Sequence, residues 1–213
     1  MLAVSCALPI DAPAQGELDL VPYAGLYLPT ASVMYNGPKQ KASPTLGTRV
    51  TVWLWGRAGI EGTLNYALSS LTGPVPVDPS AAHVVAVSTK LLVRLNPPVA
   101  HTVFHVGGGW GRVSYGGPAY CGCNDVYLQG SGSTFDGWVA AAGAVFNPRR
   151  LISLRLDAED YTFRAYFACR SGGHSPGVCN YGSAYTHKRQ HDLVVAVGAV
   201  IRVGARSTER PSN

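Results

Sequence analysis

The segment from Leu151 to Phe163 reads LISLRLDAEDYTF, and its residues alternate: Ile152, Leu154, Leu156 and Ala158 are apolar, while Ser153, Arg155, Asp157 and Glu159 are polar or charged. A period of two marks a β-strand with two unlike faces. Comparable segments, bounded by Gly, Pro and Asn, recur along the chain, and helix-period segments are hard to find. The pattern predicts eight strands, at about Leu18–Leu28, Gly47–Trp55, Ala58–Ala67, His83–Leu95, Ala100–Tyr115, Thr134–Phe146, Leu151–Phe163 and Thr186–Val203.

The connections carry a second pattern. Those at Gly56-Arg57, Asn96-Pro97-Pro98 and Asn147-Pro148-Arg149-Arg150 are short. Those around Pro29–Leu46, Ser69–Ala82, Gly116–Ser133 and Arg164–Tyr185 are long and rich in Gly, Ser, Pro and Cys. Short and long alternate, so an up-and-down meander collects every long loop at one end and every tight turn, with both termini, at the other. Outer-membrane barrels have this asymmetry, with short periplasmic turns and long external loops.

The last predicted strand sets Leu193, Val195, Val197, Ala199, Ile201 and Val203 on one face and Asp192 and Arg202 on the other. The same phase elsewhere collects an aliphatic face, including Val50, Val52, Leu54, Ile60, Leu64, Val85, Val87, Leu91 and Val93. Opposite it stand Arg49, Lys90, Arg94, Arg155 and Arg202 against Glu61, Asp157, Glu159 and Asp192, a nearly balanced set. A soluble barrel would turn those charges outward. Charged residues make up only 14% of the chain, against about 25% in an average soluble domain, too few to solvate the outside of eight strands. A sealed interior, by contrast, needs its charges paired. The expected fold is therefore all-β: an eight-stranded antiparallel up-and-down transmembrane β-barrel, aliphatic wall towards lipid and charges within. Eight strands leave an interior that side chains fill, so a plugged lumen is expected in place of a pore.

The 213 residues suit a single barrel, and the net charge of +5 does not change the picture. The basic residues are scattered, several of them (Arg202, Arg206, Arg210) near the end of the chain, and they form no nucleic-acid footprint. No run approaches the ~18 to 20 consecutive apolar residues of a membrane helix. The opening MLAVSCALPIDAPAQG reads as the back half of a secretory signal with an Ala12-Pro13-Ala14 site releasing Gln15. The expected division is a signal remnant at 1–14, the barrel at 15–204 and a disordered polar tail at 205–213.

With GWVAAAGAVFNPRRLISLRLDAEDYTF (Gly137 to Phe163) and the glycine-striped VFHVGGGWGRV (Val103 to Val113), the chain resembles the small eight-stranded outer-membrane β-barrel superfamily, the transmembrane domain of outer membrane protein A and its relatives, over about residues 17–204. The resemblance implies residence in the outer membrane of a Gram-negative-type bacterium, a lipid environment, no cofactor and a monomeric barrel with a structural or surface-interaction role. Two features depart from the pattern. The polar GARSTERPSN follows Val203 where the family's assembly signal has a terminal aromatic, and the peptidoglycan-anchoring role of the larger relatives is not carried over. Some small outer-membrane barrels are lipid-modifying enzymes with a His, a Ser and a carboxylate near the external leaflet; no Ser and His stand at matching heights here.

Cys121, Cys123, Cys169 and Cys179 fall in the third and fourth long loops, and removal of the presequence removes Cys6. In an exported protein four cysteines read as two disulfides. Closure of Cys121-Gly122-Cys123 on itself would be strained, which favours pairing of Cys121 and Cys123 with Cys169 and Cys179. A four-thiolate zinc site, joined by His174, is the rival. Glu61 or Glu159 beside His101 or His105 could be read as an acid-base pair; a structural ion network is preferred, since a filled lumen denies substrate access. Tyr66, Trp110 and Tyr161 are expected at the outer rim, and Trp53 and Trp55 inside near the turns. Asp160 falls on the lipid-facing phase and is tolerable only above the hydrocarbon. The alternatives from other classes are a soluble exported lipocalin-like barrel binding a small apolar ligand and, less favoured, a lipid-modifying enzyme. The external loops are the surface for any further ligand or protein partner.

Overall fold

The computed structural model describes residues 17–30, 39–54, 56–72, 80–120, 133–148, 150, 152–167 and 186–203. The expected signal remnant and tail, the five cysteines, His174 and Trp55 lie outside the described residues.

The strands are β1 (Glu17–Pro29), β2 (Lys39–Gln40), β3 (Ser43–Leu54), β4 (Ala58–Thr72), β5 (Ala81–Arg94), β6 (Thr102–Gly116), β7 (Ser133–Phe146), β8 (Ile152–Phe167) and β9 (Thr186–Val203). Successive long strands pair antiparallel, and β1 pairs with β9 from Leu18↔Val203 to Pro29↔Asp192, which closes the wall into an eight-stranded barrel. Closure leaves no free edge over the lipid-facing height of the wall, a condition for a sheet in hydrocarbon. The short β2 adds only Lys39↔Thr72 and Gln40↔Leu71 above β4. Three strands run four or five residues further towards the loop end than the alternation predicts: β3 begins at Ser43, β4 reaches Thr72 and β8 reaches Phe167. There the apolar-polar rhythm fades, as in Leu68-Ser69-Ser70-Leu71, while neighbouring strands still hold the backbone.

The tight ends have local causes. Gly56 adopts φ 71 between β3 and β4, a left-handed value that glycine takes without steric cost. Asn147 takes φ 52 between β7 and β8, and its carbonyl accepts a bond from Arg150 N at 3.1 Å. Asn96 bridges the β5–β6 turn, its amide donating to the Thr102 carbonyl at 2.7 Å and its side-chain oxygen accepting from Phe104 N at 2.8 Å.

Leu26, Leu46, Leu64, Leu91, Leu154 and Val197 point outward and are exposed, while Arg49, Glu61, Lys90, Arg155 and Glu159 are buried. In water each large aliphatic left on that wall would forgo roughly 1.5–3 kcal/mol. Hydrocarbon removes the penalty, so the solvent of the wall is lipid. On the same wall Trp110 and Trp138 lie directly opposite each other on β6 and β7, and Tyr66 stacks on His83 with ring centroids 5.9 Å apart. From Trp138 down to Phe146, eight residues of strand at ~3.3 Å each and a tilt of about 40° give roughly 20 Å of apolar wall. Trp53 points inward, as its phase predicts. Tyr161 does not reach the rim. It is 1% exposed and faces the lumen, because it shares the odd-numbered phase of Arg155 and Glu159.

Candidate functional site

The inward faces stack into three tiers. At the turn end, Arg94 lies over the Trp53 ring at 3.8 Å from its centroid, and Trp53 Nε1 donates to Asp19 Oδ2 at 2.8 Å. Arg202 reaches Glu17 at 2.5 Å and Asp19 at 3.2 Å, and Arg94 donates to the Gly56 carbonyl at 3.0 Å. This tier ties both ends of the barrel chain, β1 and β9, to the β3–β4 turn at Gly56 and, through Arg202 and the Pro148 carbonyl, to the β7–β8 turn.

The waist holds Arg49, Lys90 and Arg155 against Glu61, Asp157 and Glu159, an equal count of cations and acids. Arg49 Nε donates to Glu159 Oε1 at 2.9 Å, and its Nη1 stands 3.2 Å from Asp157 Oδ2. Lys90 bridges Glu159 and Glu61, the latter at 3.1 Å, and donates to Thr63 Oγ1 at 2.8 Å. Arg155 Nη1 reaches Glu61 Oε2 at 2.7 Å, and Thr51 donates to the same oxygen at 2.6 Å. Arg155 Nε reaches Asp157 at 2.8 Å, and His105 Nε2 pairs with the other Asp157 oxygen at 2.9 Å. Tyr161 donates to Glu159 at 2.8 Å, and the Arg49 guanidinium sits 3.9 Å from the Tyr23 ring centroid. The network joins β3, β4, β5, β6 and β8 across the bore.

Small residues make room for it. A Cβ on Gly143 would stand 2.5 Å from Asp157 Oδ1 and 2.6 Å from His105 Nε2, and one on Gly47 would stand 2.3 Å from the Tyr23 ring. Above the waist the charges give way to an apolar and aromatic tier. Asp192 there accepts from the hydroxyls of Tyr27 and Tyr115. Tyr115, Phe135 and Phe163 pack together, with Phe135 and Phe163 stacked at 5.6 Å.

All nine sequence-predicted charges, Arg49, Glu61, Lys90, Arg94, Arg155, Asp157, Glu159, Asp192 and Arg202, face the interior, Arg202 being the least covered. Asp192 stands apart from the ion pairs, held by tyrosines. Glu17 and Asp19 were missed, although the alternation ELDLV was there to find them. The acid-base reading does not assemble: His105 meets Asp157 and neither Glu61 nor Glu159, and His101 lies exposed outside β6. Among the described residues no three His, Cys, Asp or Glu side chains are grouped to hold a metal ion. The cysteines of the predicted staples and the rival zinc site lie outside the described residues. Asp160 is half-buried on the outer wall, 3.0 Å from His191 Nδ1, near the loop end.

No family model matches the chain, and no curated protein matches it. Solved structures do. Outer membrane protein AlkL, determined by solid-state NMR in lipid bilayers, superposes with a TM-score of 0.52 at 12% identity, covering 98% of this chain and 99% of that one. Outer membrane protein OprG from Pseudomonas aeruginosa gives 0.50 at 10% identity, covering 90% and 97%. The fold is that of the small outer-membrane β-barrels. At such low identity the likeness carries the architecture alone, and the outer-membrane barrel reading gains its weight from the inverted wall and lumen described above. A lipocalin-like carrier would need an aliphatic interior; this outer-membrane-type barrel has ion pairs there, and that alternative falls.

Proposed function

We propose that the protein resides as a monomer in the outer membrane of a Gram-negative-type bacterium, where a filled, ion-locked barrel acts as a rigid stand for long external loops. The role is structural or surface-interactive. Neither pore conduction nor catalysis is part of it. The waist network carries this reading: six charged groups neutralise one another across the bore, and opening a water path would strip paired charges from partners in a medium where an uncompensated ion costs several kcal/mol. Two disulfides among Cys121, Cys123, Cys169 and Cys179 would brace the loops, in keeping with export past an N-terminal signal remnant.

Three measurements test it together. The unboiled protein should migrate faster than the boiled one on a denaturing gel, and a band that never shifts on boiling defeats the membrane barrel. Reductant should make the external loops more sensitive to added protease; no change removes the staples. In planar bilayers no steady conductance is expected, and a long-lived open level overturns the filled lumen.

A further inference from the structure

The barrel wall carries a notch at the loop end, between β7 and β8. Their ladder stops at Gly137↔Phe163, yet β7 continues on β6 to Ser133↔Tyr115 and β8 continues on β9 to Phe167↔Thr186. Ser133–Asp136 and Arg164–Phe167 thus diverge, leaving one edge of each strand without a ladder partner. The gap is a cleft of about 740 Å³ lined by Thr134, Asp136, Trp138, Thr162, Arg164 and Arg189. Phe135 and Phe163, stacked on the lumen side, close it from within.

Its charges differ from all others in the wall. Arg164 and Arg189 are exposed and directly opposite each other on β8 and β9. Like charges in that relation repel. The nearby acids are engaged: Asp136 with Arg112 at 2.7 Å, and Asp160 with His191 at 3.0 Å. Among the described residues neither Arg164 nor Arg189 has an acidic partner. At the foot of the cleft Trp138 is 75% exposed, with Trp110 beside it and the aliphatic wall below. Tryptophans at this position mark the interface, so the arginines lie at headgroup height. A ligand matching both halves is an amphiphile, with an anionic head between the guanidiniums and a hydrocarbon chain descending past Trp138.

We propose that the β7–β8 notch binds the phosphate-bearing headgroup of an outer-leaflet lipid through Arg164 and Arg189, with its acyl chain against Trp138. This rests on the membrane-barrel reading. Phosphate suits two forked guanidiniums, which form paired N–H···O bonds to its oxygens. The occupant would also relieve the Arg164–Arg189 repulsion and cover an open strand edge.

The test uses the full refolded chain in neutral detergent, titrated with diphosphorylated lipid A, with the same lipid stripped of phosphate, and with inorganic phosphate, binding being read by native mass spectrometry. The wild type should retain the phosphorylated lipid. R164Q/R189Q should bind it roughly twenty-five-fold more weakly, two arginines at an anionic surface each contributing about fivefold. R57Q/R150Q, at the turn end, should bind as the wild type does. Equal binding by R164Q/R189Q, or equal binding of the dephosphorylated lipid, overturns the site. Displacement of the lipid by inorganic phosphate at equal concentration shows a free-anion site and overturns the lipid assignment. Heat-shifted migration is scored separately: a wild type without it defeats the barrel reading itself, whereas a shifted wild type that binds no lipid defeats only the notch.

Discussion

Two arginines on the same strand meet opposite fates. Arg155 of β8 is 1% exposed and paired with Glu61 and Asp157, while Arg164, an odd number of residues further on, points outward from an open cleft. The pleat alone sends them to different sides. In the bore a charge survives only with its partners built into the chain, counter-ions at the waist and tyrosine hydroxyls at Asp192. On the outer wall near the loops a charge can remain unmatched by the protein, because the headgroup layer supplies what the fold omits. The contrast separates charges that hold the barrel together from charges that address its surroundings.

The strongest way to break that contrast is to remove one member of the waist. Arg155→Leu leaves Glu61 and Asp157 short of a partner in a sealed space, and should cost about 3–5 kcal/mol. Urea titration of the refolded protein, followed by gel migration, measures it; a loss below ~1 kcal/mol would mean that water reaches the waist. The reciprocal change places an ion where none belongs. Val195 lies outward at mid-wall, opposite Ala158 on one side and Leu26 on the other. Val195→Arg should cost roughly 2–4 kcal/mol in a bilayer. Were that face wetted by water, the same change would be close to neutral.

The upper tier gives a smaller effect. Asp192 keeps two tyrosine hydroxyls as its partners in a nearly dry setting. Tyr115→Phe withdraws one donor and should destabilise by about 1–3 kcal/mol, again read from urea titration. Tyr66→Phe, on the outer wall with an exposed ring, serves as the control and should fall within about 0.5 kcal/mol of the wild type.

Much of this division was legible in the chain, because period-two alternation is a local property and lipid on one side with ions on the other makes it unusually clean. Ser153, Arg155, Asp157 and Glu159 announce their side without any knowledge of their partners. Tyr161 was legible too, by phase, and was misplaced at the rim because an aromatic near a strand end invites the belt reading; its hydroxyl instead serves Glu159. Glu17 escaped because the predicted strand starts at Leu18, one step too late; Asp19 lies within that strand, and its phase alone places it with the lumenal acids. Which cation meets which acid was not legible, since Arg49–Glu159 and Arg155–Glu61 depend on barrel stagger. The notch was least legible of all. It exists because one ladder ends four residues before its neighbours, and Arg164 and Arg189 become opposite only through the β8–β9 register.

The smallest effect is also the most discriminating, because its sign depends on the solvent. Arg164→Glu converts the repelling pair with Arg189 into an attracting cross-strand pair. In neutral detergent without phosphate-bearing lipid this should stabilise the barrel by about 0.2–1 kcal/mol. In bilayers whose outer leaflet carries lipid phosphate the same carboxylate repels the headgroup that the wild type would hold, and the variant should become the less stable of the two. Paired urea titrations in the two media give the comparison directly. A variant more stable in both would show that Arg164 answers only to Arg189, and that the notch, like the waist, is governed by the chain's own charges.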